Sequence, residues 1–199
     1  MREKEPFSLL LIIFIISLFM CYHLYYFVEN KVNKKDVENY VETSSQIENN
    51  PQNVVEKIKS EEKIESYIGV LSIPKINVYN GFYEIDSPNN DVNKNIQVLK
   101  GSDMPNITYG TFMLAAHSGT SYISYFKDLN KLSLNDEVYV YYANTKYTYF
   151  VQKMYEIARD GTISFDKNIH ETYLVLTTCG NEGKQLIVIA KRKGDIINE

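Results

Sequence analysis

A thiol and an imidazole are the two side chains of this sequence that could together carry out acyl transfer. Cys179 closes the run Tyr173-Leu174-Val175-Leu176-Thr177-Thr178 and is followed by Gly180. It is the only cysteine outside the apolar N-terminus, where Cys21 lies. A free thiol has a pKa of about 8.5, and its thiolate is the strong nucleophile. A nearby imidazole can hold the proton and later return it to a leaving amine. His117 follows a second apolar run, Thr111-Phe112-Met113-Leu114-Ala115-Ala116, and precedes Ser118-Gly119-Thr120. If the two runs are parallel neighbouring strands, His117 and Cys179 emerge at the same edge. The competing readings are a buried structural cysteine and a solvated loop histidine. The place of Cys179 at a strand end, beside hydroxyls and a glycine, favours chemistry. His170 precedes the strand that ends in Cys179. At ~3.3 Å per residue it is roughly 20 Å from the thiol, at the wrong end. His23 lies in the apolar N-terminal stretch and reads as an interfacial residue.

These two groups need a rigid frame. From Tyr67 onward the pattern has period two and short runs, predicting strands near 68–73, 82–85, 96–99, 111–116, 137–143, 146–157, 173–178 and 185–190. Turn signals fall between them, among them Pro74, Ser87-Pro88-Asn89-Asn90, Gly110, Asn135-Asp136, Ala143-Asn144 and Asp160-Gly161. Tyr125 to Leu132 reads as a short helix or turn with Phe126, Leu129 and Leu132 inward. Many short strands in so few residues predict an all-β closed barrel or sandwich. No internal repeat, phosphate-binding glycine loop or metal-ligand spacing occurs, so no cofactor or metal is expected. The order histidine then cysteine, with cysteine ending a strand, differs from papain-like enzymes, whose cysteine comes first and starts a helix.

Residues 7–27 carry no Asp, Glu, Lys or Arg. About 21 helical residues span roughly 31 Å, the thickness of a bilayer core. Tyr22, Tyr25 and Tyr26 would form an aromatic belt at the far end. The segment ends in bulky residues rather than a small-residue cleavage site, which favours an uncleaved transmembrane anchor over a signal peptide. Residues 1–6 form the short tail. Arg2 and Lys4 nearly balance Lys31, Lys34 and Lys35 across the span, so charge alone leaves orientation open. Residues 28–66 read as a polar tether, with an amphipathic helix over 54–68 leading into a domain at 67–199. A net charge of −4 provides no basic stripe for nucleic acid.

Leu176-Thr177-Thr178-Cys179 resembles the sortase signature Thr-Leu-x-Thr-Cys, with Val175 at the first threonine. Ala115-Ala116-His117-Ser118 resembles that family's histidine segment, and Ile73-Pro74-Lys75-Ile76-Asn77-Val78 its first-strand segment. The similarity runs from about 67 to 193. It implies an eight-stranded sortase β-barrel with short helices behind one transmembrane helix. It also implies a cysteine transpeptidase on the outside of a Gram-positive cell, N-terminus inside. Cys179 would attack the Thr–Gly bond of a Leu-Pro-x-Thr-Gly-like sorting signal on a surface protein. An amine, from a peptidoglycan precursor or a pilin lysine, would then resolve the thioester.

One position departs from the family. The arginine that opens the strand after the cysteine is Gln185 here. Its amide can donate a hydrogen bond to an oxyanion but carries no charge. Arg192 lies seven residues further on, roughly 23 Å along a strand. Lys184 would point to the opposite face. Arg159 could reach in from the loop walling the groove, though a solvated loop arginine is the simpler reading. Thr178 and Arg159 are the candidate substrate-binding residues. The stretch 159–171 is too short for the long helix of class B, and no second apolar span follows Lys193 as in class C, so the resemblance leans to class A, D or E. The alternatives are a binding module with decayed machinery, favoured by Gln185, and a thiol peptidase that gives its acyl-enzyme to water.

Overall fold

The computed structural model describes residues 11–25, 27, 35, 37, 38, 40, 66–180 and 183–194. Eight strands form one sheet: β1 (Gly69–Ile73), β2 (Val78–Phe82), β3 (Gln97–Val98), β4 (Thr111–Ala115), β5 (Glu137–Tyr142), β6 (Thr145–Ala158), β7 (Tyr173–Cys179) and β8 (Lys184–Arg192). Their spatial order is β2-β1-β5-β6-β8-β7-β4-β3. A bridge between Phe82 and Ile96 brings the two edges together, so the sheet is a nearly closed barrel. Short 3-10 turns occur at Pro74–Ile76 and Leu129–Lys131.

Local chemistry explains the turns. Ala143 and Asn144, both with positive φ (48° and 59°), join the paired residues Tyr142 and Thr145. Two left-handed residues match the twist of a tight hairpin. The long β6 serves two neighbours, β5 with its first half and β8 with its second. A bulge between Val151 and Lys153 bends it from one to the other.

Inward residues such as Phe82, Phe112, Leu114, Tyr149, Leu174 and Val188 fill the barrel. Phe126, Leu129 and Leu132 are buried among them, so the turn after β4 is plugged into the core as its spacing predicts. On the outer face, Tyr173, Val175, Ile187 and Ile189 form a second cluster, covered by Ile163 and Phe165 of the β6–β7 connection. β7 is thus apolar on both faces, which is why it reads as an unbroken run instead of an alternation.

Strand β2 is the misplaced prediction: it occupies Val78–Phe82, not 82–85. The pair Asn80-Gly81 is ordinarily a turn signal, but here both residues lie in a strand for packing reasons. A Cβ on Gly81 would sit 2.2 Å from the Tyr67 ring. Asn80 hydrogen-bonds to Asn95 across the seam of the barrel. Asn90 closes the same seam, donating to the carbonyls of Ile85 and Val98 and accepting from the Val98 N–H. These buried amides replace strand pairing where the edges do not meet.

The N-terminal readings meet the structure only in part. Residues 11–25 are helical, and the ends of the apolar stretch 7–27 lie largely outside the described residues. Among the described residues no helix is long and apolar enough to cross a membrane. Of the amphipathic stretch 54–68, residues 54–65 fall outside them too. Within the expected tether, Lys35, Val37, Glu38 and Tyr40 are helical, and they are not all solvated. Val37 is fully buried against Tyr67 and Val70, and the Tyr40 hydroxyl donates to the Ile68 carbonyl at 2.7 Å. These described residues rest on β1 and its neighbour Tyr67 through one apolar side chain and one phenol. A chain starting near residue 60 keeps the whole barrel and is expected to fold. It should be less stable than the longer protein by about 1.5–3 kcal/mol, the usual value of burying a valine. Denaturant titration of both lengths tests this, and equal midpoints would show that the docked segment contributes nothing.

Candidate active site

Strands β4 and β7 are parallel neighbours, with Ala115 opposite Thr177. Two residues beyond each lie His117 and Cys179. The two groups therefore leave the barrel side by side at one edge. The loops that carry them are stitched together. The Ala116 N–H donates to the Thr177 carbonyl at 3.3 Å. The Thr178 hydroxyl donates to the Ala116 carbonyl and the Ser118 hydroxyl to the Cys179 carbonyl, both at 2.6 Å. The Phe126 N–H donates to the His117 carbonyl at 3.0 Å, tying the histidine to the core plug. The thiol itself is exposed.

The imidazole is oriented from the far side. His117 Nε2 lies 3.2 Å from Asn93 Oδ1. Asn93 gives both its backbone N–H and its Nδ2 to Asp91 Oδ1, at 2.9 and 3.1 Å. A carboxylate only accepts, so the Asn93 amide is turned with its oxygen towards the ring. That assigns the hydrogen to Nε2 and leaves Nδ1 to take up a proton. His170 sits at the opposite end of the barrel, edge-on to Tyr109 at 5.8 Å between ring centroids.

Gln185 is the residue paired with Cys179 across the β7–β8 ladder. By strand parity its side chain shares the thiol's face. Its Nε2 donates to the Arg159 carbonyl at 3.0 Å, fastening β8 to the start of the β6–β7 connection. Arg159 thus meets Gln185 through its backbone, and its exposed side chain does not line the thiol's cleft. Thr178 does line it, but its hydroxyl is committed to Ala116, so it acts as a wall.

The fold, the histidine–cysteine edge and the signature residues point one way. A family model described as the sortase domain matches residues 71–193. The chain belongs to the sortase family. Among solved structures it is similar to a sortase D5 transpeptidase of Clostridium perfringens, with 25% identity over 82% of this chain and 99% of that one and a TM-score of 0.61. Sortase C-1 of Actinomyces oris (21%, 80% and 99%, TM-score 0.58) and sortase A of Corynebacterium diphtheriae (18%, 85% and 87%, TM-score 0.58) share the fold. A search of curated proteins returned no match. The structural neighbours span classes A, C and D, so similarity of fold does not narrow the class.

The cleft of this sortase, about 190 Å³, is lined by Ser118, Phe126, Lys127, Asn130, Glu156, Thr178, Cys179, Gly180 and Leu186. Lys127 and Glu156 are its charged groups, and the sequence reading singled out neither. Each is an isolated charge on an ordinary turn or strand end. Only the three-dimensional packing brings them to the cleft that Cys179 also borders. Among the described residues no group of three or more His, Cys, Asp or Glu could hold a metal ion.

Proposed function

We propose that this sortase is a membrane-anchored cysteine transpeptidase that cleaves a Leu-Pro-x-Thr-Gly-like sorting signal and transfers the acyl group to an amine. The observation that carries it is the parallel β4–β7 register, which sets His117 and Cys179 at matched positions. The Cys179 sulfur attacks the threonine carbonyl, and its proton passes to His117. The C–N bond breaks as His117 returns that proton to the leaving glycine amine, and a thioester remains. A peptidoglycan-precursor amine or a pilin lysine then takes the acyl group. Residues 7–27 anchor the chain in the cell membrane, N-terminus inside and barrel outside. The similarity to the sortase D5 transpeptidase of Clostridium perfringens supports transpeptidation as the reaction class.

Incubating the barrel with a sorting-signal peptide and an amine tests this. Ligation supports the transferase, and hydrolysis alone would make it a peptidase. Binding without turnover would make it a binding module, the reading Gln185 favours because no charged donor stands opposite Cys179. Acyl transfer builds negative charge on the carbonyl oxygen, and a charged donor stabilises it more than a neutral one. Gln185→Arg is therefore expected to speed thioester formation by about tenfold, roughly 1.4 kcal/mol of barrier. Gln185→Ala is expected to slow it by less than tenfold, since one of the two amide N–H groups is already spent on the Arg159 carbonyl and the other carries no charge. Quenched-flow mass spectrometry of the acyl-enzyme reads both. A slower Gln185→Arg would show that the amide, not a charge, is what this edge requires.

A further inference from the structure

The turn that orients the His117 ring has an exposed end and a buried end. Asn93, whose oxygen lies 3.2 Å from His117 Nε2, is exposed. An exposed amide holds a ring only as firmly as its own turn is held. The Asp91 carbonyl closes the turn, accepting from the Lys94 and Asn95 N–H groups, both at 2.8 Å. Of residues 91–95, Asn95 is the buried one, and its side chain ties the turn to the barrel. Its Oδ1 accepts from the Asn80 amide and from the Ile96 N–H. Its Nδ2 donates to the Tyr67 hydroxyl at 3.1 Å. The Tyr67 ring is itself fixed. It occupies the space beside Gly81, where a Cβ would come within 2.2 Å of it. The Tyr83 ring packs on it at 4.7 Å between centroids, and Val37 and Val70 belong to the same buried cluster. Tyr67 does not line the cleft that Cys179 borders, so any effect it has on chemistry passes through the turn.

We propose that Tyr67 is a positioning residue for His117, its hydroxyl holding the 91–95 turn through Asn95 so that Asn93 keeps the imidazole in place for proton transfer. This rests on the transpeptidase reading. Removing the hydroxyl leaves Asn95 Nδ2 as a buried donor without its acceptor, a costly state that the turn relieves by moving. Asn93 moves with the turn, and proton transfer is sensitive to small misplacements of the base. The same tyrosine carries the contacts of the N-terminal segment. Val37 packs on it, and the Tyr40 hydroxyl donates to the carbonyl of the next residue, Ile68. The docked segment therefore supports the outer side of the post whose inner side holds the turn.

The test compares the full-length wild type with Tyr67→Phe, which keeps the ring against Gly81, with Asn93→Ala and with the double variant. Tyr67→Phe is expected to slow single-turnover acylation by a sorting-signal peptide about fivefold, the order of one neutral hydrogen bond, and to change the half-saturating peptide concentration by less than about twofold. The double variant is expected to be no slower than Asn93→Ala alone, because both substitutions act on one contact. NMR relaxation of the His117 ring, read without substrate, should show its order falling in Tyr67→Phe as it does in Asn93→Ala. A packing role alone would lower the melting temperature and leave the ring as ordered as in the wild type. An unaltered ring order in Tyr67→Phe, or slowdowns that multiply in the double variant, overturns the positioning role and leaves the transpeptidase standing. A wild-type protein that forms no thioester overturns the transpeptidase, and the ring order alone then decides whether Tyr67 holds His117.

Discussion

Cys179→Ala is expected to abolish thioester formation and turnover while leaving the barrel as stable as the wild type to within about 0.5 kcal/mol, the range of surface substitutions. The side chain is exposed at the last position of β7, so exchanging thiol for methyl leaves no cavity. The contacts that hold the position are made by the backbone. The Ser118 hydroxyl bonds to the Cys179 carbonyl, which alanine retains. The ladder partner Gln185 is bound through strand register and its own amide. Chemistry is expected to be affected very differently, since Cys179 is the one cysteine among the described residues of the barrel. The second cysteine, Cys21, belongs to the helical stretch 11–25 and not to the barrel. Intact-mass spectrometry after incubation with a sorting-signal peptide should show the acyl adduct on wild type and none on the variant. Peptide cleavage retained by Cys179→Ala would sink the nucleophile assignment. A large fall in melting temperature would instead show that the thiol is a packing residue.

Elements defined by burial could be read from the chain, and elements defined by neighbours could not. β7 and β8 are buried on both faces, so long apolar runs marked them. Phe126, Leu129 and Leu132 kept their spacing because all three enter the core. Strand β2 escaped because its alternation is carried by Val78, Asn80 and Phe82. An asparagine faces inward there only because Asn95 waits across the seam. Val37 is a single apolar residue among polar ones, and only the fold shows Tyr67 and Val70 covering it. In the site, Cys179 and His117 stood out by type and by strand-end position. Their juxtaposition required the parallel pairing of strands some 60 residues apart, which was an assumption until the register was seen. Asn93, Lys127 and Glu156 had no such mark. An amide, an ammonium and a carboxylate are ordinary surface groups, and proximity alone gives them a part in the site.

His117→Ala is expected to lower the rate of acylation by a factor of about one hundred or more, the usual scale for losing a general acid–base. The structure gives three reasons to choose this histidine. It leaves β4 two residues beyond Ala115, as Cys179 leaves β7 two beyond Thr177. Its backbone is fixed by the Phe126 N–H, from a residue with no solvent exposure. Its ring is held through Asn93 and Asp91, which place a hydrogen on Nε2 and leave Nδ1 able to accept. His170 has none of this. It lies before β7, where Thr111 pairs with Tyr173 at the far end of the same two strands, and it packs on Tyr109. His170→Ala should therefore change acylation less than twofold. Single-turnover thioester formation separates the two variants without interference from the amine step. In the proposed mechanism His117 both removes the thiol proton and protonates the leaving amine, so a peptide analogue with a leaving group that needs no proton should recover part of the loss. A His117→Ala protein that acylates at the wild-type rate with the peptide itself would remove the imidazole from the mechanism. Loss in His170→Ala alone would mean that the chemistry sits at the other end of the barrel.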